Sequence, residues 1–397
     1  MLGIAHRAWR LLPEAVRRAS MARAASLIAP RPGKPPARSN GAIIAGDIDG
    51  QNGIAATGRM FAAALAQRGL LRGTMPLGLP SVAPAYSGTP APGAAIISVV
   101  NAPYLPVGLA RLHPRTMLRG RRIIGVWVWE LPQIPKDWAI GARFVHEIWA
   151  PSRFTAEAFE RIAPGRVRFV PYPLLTALPF TPEGTRASFN LPEDAFIALT
   201  IFNLSSSCAR KNPLGAIAAF KAAFKASRDA LLIVKLTGHE RYQDDYKTIL
   251  NAIGGAPNIR IITEAFTEPA LHGLMASSNV VLSLHRAEGF GLIPATAALL
   301  GIPVIATAYS GNLDFMSPES SGLVQYRLVP VSGPDTIYKI PGAMWAEPDI
   351  EDAATWLRRL FDAPALRASL GAAGQRHALQ QLSPARLEAA LAANGIE

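Results

Sequence analysis

Residues 285–292 read HRAEGFGL: one carboxylate, Glu288, is followed by the glycine-rich turn Gly289, Phe290, Gly291 and Leu292, with His285 three positions before it. The amides of such a turn can face an anion, and a lone carboxylate accepts hydrogen bonds from hydroxyls. A second polar loop, NLSSSCARKNP at residues 203–213, carries Ser206, Arg210 and Lys211 between a strand-like and a helix-like run. Hydroxyls and cations so placed suit a diphosphate, the cations neutralising charge on a leaving group; charges solvated on a loop are the alternative.

Two further groups lie in the first half of the chain. AIIAG at residues 42–46 runs into the loop DIDGQNG and an amphipathic helix, which makes Gly53 a position for close approach of an anion, or else one residue of an ordinary tight turn. Asp47 and Asp49 form an Asp-x-Asp of the kind that holds a metal, but metal binding is not expected there. In VWVWELPQIPKDW, residues 126–138, Trp127, Trp129, Glu130 and Trp138 could stack on a sugar and bond a hydroxyl. Buried aromatic core is the competing explanation, and for His146 a satisfied structural histidine competes with a place beside an acceptor.

The elements that would position these groups alternate strand and helix in both halves. Strands are expected at residues 42–46, 96–100, 122–128, 147–150 and 167–170, then at 196–202, 230–236, 258–263, 279–285 and 303–307. That alternation implies two doubly wound parallel sheets with helices on both faces, and ligands at the carboxyl ends of the strands. Residues 171–185, with four prolines and a glycine, mark a break between the halves. The expected domains are 41–172 and 187–361, with 173–186 as linker and 362–397 as C-terminal helices able to cross back to the first domain.

A chain of 397 residues, half of them apolar, has material for two cores and is not a disordered protein. Of its net charge of +12, eight basic residues against Glu14 alone fall in residues 1–38, so the body is only mildly basic and nucleic acid is not an expected partner. Ile4, Ala8, Leu11, Leu12, Ala15 and Val16 share one helical face and Arg7, Arg10, Arg17 and Arg18 the other. Residues 1–28 thus read as an interfacial helix for an anionic membrane surface, or else as a helix packed on its own protein or a frayed leader, and 31–40 as a proline-rich tether dispensable for folding.

Cys208 is the only cysteine, which excludes an internal disulfide and a cysteine-based zinc site and suits a reducing cytoplasm. Residues 73–110 lack charge but hold seven prolines, too many for a lipid-embedded helix. No signal-peptide core is present, so the expected location is cytoplasmic, peripheral on the inner face of the membrane. No G-x-G-x-x-G follows an expected strand, which argues against a nicotinamide oxidoreductase.

The run NVVLSLHRAEGFGLIPATAALLGIPVIATAYSGNLDFM, residues 279–316, resembles glycosyltransferase family 4, the retaining GT-B transferases. WAPSRFTAEAF with VPYP, ARKNPLGAIAAFKAAF and WAEPD extend the likeness over residues 41–361. The resemblance implies two Rossmann-like domains facing across a cleft. It also implies transfer of a sugar, with retention, from a GDP- or UDP-linked donor to a saccharide or lipid-linked acceptor in polysaccharide or lipopolysaccharide assembly. Neither metal nor cofactor is required. In that family Glu288 would contact donor hydroxyls and Lys211 the diphosphate, with Arg210 standing in for an arginine usually found a few residues earlier. Thr296 occupies the place of a second glutamate that holds the ribose, and it offers one hydroxyl there. That substitution motivates the alternative, a GT-B protein that binds a nucleotide sugar or glycolipid without turnover.

Overall fold

The computed structural model of the chain describes residues 12, 14–50, 52–81, 83–178, 180–333 and 336–397. It divides into two compact units. The first comprises Met1–Ala177, Thr336–Ala343 and Ser383–Glu397, and the second Leu178–Asp335 and Met344–Leu382.

The first unit is built on six parallel strands: β1 Ala42–Ala45, β2 Leu71–Met75, β3 Ala95–Ser98, β4 Ile123–Val126, β5 Glu147–Ala150 and β6 Val167–Phe169, in spatial order β2-β1-β3-β4-β5-β6. Every residue of β1, β3 and β4 is buried, the expected pattern for a parallel sheet covered on both faces. The edge strand β2 carries Arg72 and Gly73 and is half exposed, so no apolar run betrays it in the sequence.

The basic N-terminal segment packs on helices of this unit. Residues 14–28 form a helix that packs chiefly on the helix Leu105–Ala110. Its anchor is a buried ion pair, Arg18 Nε to Asp137 Oδ2 at 2.6 Å, with Ala22 one turn on fully buried. The helix thus packs on its own protein, with one residue of the expected polar stripe buried. Arg18 points inward and Val16, Leu27 and Ile28 point out, because the carboxylate of Asp137 captures one arginine of the polar stripe. Ile4, Arg7, Ala8, Arg10 and Leu11 lie outside the described residues.

Residues 31–40 are not a free tether either. Gly33 O meets His146 Nε2 at 2.8 Å, Arg122 donates to Pro36 O, and Ser39 N donates to Gly395 O at 2.7 Å beside a Ser39–Ile396 bridge.

In the second unit β7 Phe196–Asn203, β8 Ala230–Thr237, β9 Ile259–Ile262, β10 Val280–Ser283, β11 Val304–Thr307 and β12 Gly322–Val324 are parallel, in the order β12-β11-β10-β7-β8-β9. An antiparallel hairpin, β13 Tyr326–Pro330 with β14 Met344–Pro348, follows. The chain starts in the middle at β7, moves outward through β8 and β9, and returns to the other side of β7 as β10. Loops after β7 and β10 therefore leave in opposite directions and open a crevice between them at the carboxyl edge. Below that edge Phe220, Phe224, Leu232, Val234, Leu282 and Leu357 belong to one core.

Asp137→Ala takes the carboxylate from the buried Arg18 guanidinium and should lower stability by about 3–5 kcal/mol. In Arg18→Met with Asp137→Leu, where neither charge remains, most of the loss should be recovered. Urea denaturation measures both; equal losses in the single and double variants would show that the pair does not dock the helix.

Candidate active site

Arg210, Lys211 and Glu288 meet at the crevice between β7 and β10. After β7 the chain makes a single helical turn, Cys208–Lys211, bounded by Ser207 at φ 72° and Asn212 at φ 52°. Left-handed backbone at two non-glycine residues costs of order 1 kcal/mol or more each and persists only where side chains over-determine it. Ser207 Oγ accepts from Arg210 N at 3.1 Å. Asn212 accepts from Gly215 N and donates to Leu284 O at the end of β10, tying the two loops together.

After β10 the turn is held from below. Glu288 N donates to the hydroxyl of Ser310 at 2.8 Å, and Gly311 N donates to Glu288 O at 2.9 Å. A Cβ on Gly311 would stand 2.5 Å from Gly289 O, so only glycine allows this approach. Phe290 is buried against Phe315. Gly291, at φ 96°, then starts the helix Leu292–Leu299 without a side-chain cap, which leaves first-turn amides for a ligand. Thr296 is buried on that helix, and Leu292 is half-buried.

The Glu288 carboxylate is clasped by both cations: Lys211 Nζ on Oε1, and Arg210 Nη1 on Oε2 at 3.2 Å. Burial alone would push this carboxyl up, but the charges of Lys211 and Arg210 outweigh burial and hold it down at about 2. The Lys211 side chain is 20% exposed and that of Arg210 only 4%. Ser206, at the rim of the loop, is half-buried and accepts from Arg210 through its carbonyl.

His285, expected among the donor-contacting residues, is a support instead. Its ring is fully buried, with Nε2 facing two acceptors, Tyr309 O and Asn312 Oδ1, both at 3.2 Å, and Nδ1 3.1 Å from the Ser283 hydroxyl. Nε2 therefore carries the proton and Nδ1 accepts from Ser283. Burial lowers its pKa and keeps the ring neutral.

Arg286 and Glu347 had no sequence signal as a pair, since 61 positions separate them. Arg286 bonds both carboxylate oxygens of Glu347 on β14, at 2.6 and 2.9 Å, and also donates to Ala209 O. One guanidinium thereby braces the turn after β7, the turn after β10 and the hairpin. Glu347 falls within WAEPD, whose likeness to the family was the only available hint.

The candidates of the first unit are mostly structural. Trp129 is 1% exposed, donates to Gln133 O, and is covered by Trp138 and Tyr338 at ring distances of 5.1 and 5.4 Å. It offers no face to an acceptor. Trp127 is buried against Phe159 and donates to Val100 O. Both nitrogens of His146 are engaged, with Ile123 N and Gly33 O, so it pins the N-terminal segment to the sheet. Glu130 is half-buried and accepts from the Tyr338 hydroxyl at 3.1 Å. Gly53 is exposed at the start of the helix Gly53–Gln67, with nothing within 4 Å of where a Cβ would stand, and Asn52 caps that helix. Asp47 accepts from Gly50 N within its own loop.

Two parallel six-stranded sheets in successive α/β units, the second with a charged site at its switch point, define the GT-B class of protein. Residues 177–382 match the family described as "Family 4 Glycosyltransferase in conflict systems", and the chain belongs to that family. Among solved structures it is similar to HepE from Anabaena, crystallised with UDP and glucose, over 89% of this chain and 98% of that one, at 14% identity and a TM-score of 0.64. WaaG, a glycosyltransferase involved in lipopolysaccharide biosynthesis, is similar over 89% and 100% at 16% identity and 0.59. Sucrose-phosphate synthase from Thermosynechococcus elongatus is similar over 88% and 98% at 16% identity and 0.62. At such identities the likeness speaks for the fold. No curated protein matches the chain.

With its folded-state pKa near 2 against an ordinary 4.5, ionised Glu288 adds stability that is complete above pH 4.5 and is lost as pH falls through 4.5 towards 2. Across that window Glu288→Gln should lose less stability than the wild type, read from urea midpoints at successive pH. Parallel curves for the two proteins would contradict the charge clasp.

Proposed function

We propose that the protein transfers a sugar from a GDP- or UDP-linked donor to a saccharide or lipid-linked acceptor with retention of anomeric configuration, residues 187–361 holding the donor and 41–172 the acceptor. The observation that carries this reading is the Lys211–Glu288–Arg210 cluster at the crevice between β7 and β10. Anionic ligands of open α/β sheets bind at such a point. HepE, with the same fold, is crystallised with UDP-glucose.

In this reading the diphosphate lies against Lys211, Ser206 and the amides opening the helix Leu292–Leu299. Glu288 accepts from sugar hydroxyls. The acceptor hydroxyl attacks the anomeric carbon on the face from which the nucleoside diphosphate leaves, and a phosphate oxygen takes its proton. No enzyme nucleophile is needed, and Lys211 carries the charge role that a metal has in other glycosyltransferases, so the reaction is proposed to be metal-independent. A single positioned donor to the leaving group is worth about 3–4 kcal/mol. Thr296 lends one hydroxyl on the nucleotide side.

The proposed setting is polysaccharide or lipopolysaccharide assembly, with the protein peripheral on the cytoplasmic face of a membrane. No helix among the described residues is long and apolar enough to cross one. Leu27, 84% exposed, and Ile28 at 54%, beside exposed Arg23, suit shallow contact with anionic lipid.

Thermal shift against GDP-mannose, UDP-glucose, UDP-galactose and UDP-GlcNAc should single out one donor by a raised melting temperature. Release of no nucleoside diphosphate from any of them, with acceptor extracts present, would favour the non-catalytic alternative that Thr296 motivates. Lys211→Ala should lower turnover by about two to three orders of magnitude without unfolding the protein; near-normal turnover refutes its role. Leu27→Glu with Ile28→Glu should abolish co-sedimentation with anionic liposomes, and unchanged binding would remove the helix as the contact.

A further inference from the structure

Arg210 and Lys211 are adjacent in sequence and both touch Glu288, yet their surroundings differ. The Arg210 guanidinium donates to Ala287 O at 2.8 Å from the turn after β10 and to Ser206 O at 2.9 Å from the turn after β7, so it bridges the two loops. Its backbone is held as well: Arg286 N donates to Arg210 O at 2.7 Å, and Arg210 N bonds Ser207 Oγ. To reach a ligand in the crevice the side chain would have to leave two carbonyls and a nearly closed site. Lys211, whose side chain is five times more exposed, needs only a rotation of its long stem.

We propose that Arg210 is not a diphosphate ligand but the permanent counter-ion of Glu288, a positioning residue whose fixed charge lets Lys211 pass from Glu288 to the incoming diphosphate without stranding a buried carboxylate. The inference rests on the donor reading given above. Its physical basis is asymmetric: a buried carboxylate tolerates the departure of one cation only if another stays. In the empty site the cluster carries one net positive charge, since His285, the remaining titratable group facing Glu288, is kept neutral by burial. Arg286, the nearest further cation in the chain, is committed to Glu347. Binding of the diphosphate then converts a three-member cluster into two separate pairs, Arg210 with Glu288 and Lys211 with phosphate.

This division of labour leaves a signature that a phosphate-binding arginine would not. In Arg210→Gln, UDP or GDP draws Lys211 away and leaves Glu288 without a counter-ion, so the carboxyl must take up a proton on binding. Calorimetry of UDP and of GDP binding, above about pH 7.5 where the diphosphate's own titration is over, should show uptake of about one proton per site in Arg210→Gln and none in the wild type. Affinity of that variant should fall roughly tenfold per pH unit while the wild type stays flat. Arg210→Lys keeps a cation beside Glu288 and should restore the wild-type proton balance even if it binds more weakly; it also serves as the test if Arg210→Gln does not fold. Arg210→Gln binding more weakly by the same factor at every pH, or Arg210→Lys taking up a proton like Arg210→Gln, overturns the proposal and leaves the donor reading standing. If neither nucleotide binds the wild type, the donor reading falls and this inference with it.

Discussion

A carboxylate buried between two cations, where the chain reverses its path through a parallel sheet, is the constraint to which the second unit is fitted. An uncompensated charge at that depth would cost several kcal/mol, so both loops that supply the cluster must be held in place. The backbone records the result. Ser207, Asn212, Ser310 and Gly291 all take positive φ within the loops that build the site, and Gly311 touches Gly289 where no side chain would fit. Each irregular position is fixed by a neighbouring hydrogen bond or ring, and Arg286 closes the set by bonding a turn and a hairpin at once.

Much of this was legible in the sequence, for a physical reason. The central strands of the second unit are apolar on both faces and stand out as uninterrupted runs, and the polar loops between them are conspicuous because they interrupt those runs. Lys211, Glu288 and the glycine turn were therefore found where they lie. The loss came where a residue type admits two environments. Trp129 and His146 carry polar atoms that an inner carbonyl or amide can satisfy as well as a ligand can, and nothing in their spacing tells which occurs. His285 was grouped with the ligand contacts because it sits beside them in the chain, although its ring turns inward to Tyr309 and Asn312. Edge elements were harder still: β2 is half exposed, β12 is three residues long, and the β13–β14 hairpin pairs segments with no shared periodicity.

The N-terminal helix shows how one distant residue can draw a charged position of a helical wheel inward. Periodicity weighs every position of a segment equally, whereas Asp137 rewards a single guanidinium and so decides which residue turns inward. What remains outside is a mixed surface of Arg23, Leu27 and Ile28. Its character comes from what the inner face consumed.

The first unit includes the last residues of the chain. Ser39 bridges Ile396, Gly41 N donates to Glu397 O, and Asn394 reaches the carboxylate of Glu147 on β5. During synthesis the leading half therefore leaves the ribosome without its closing segment and must wait, partly assembled, while the entire second unit is made. At ordinary translation rates of about 5–20 residues per second that interval is of the order of ten seconds or more. The second unit, interrupted only where Thr336–Ala343 departs to the first, can complete its fold sooner. Order of appearance and order of completion are thus opposite in this chain.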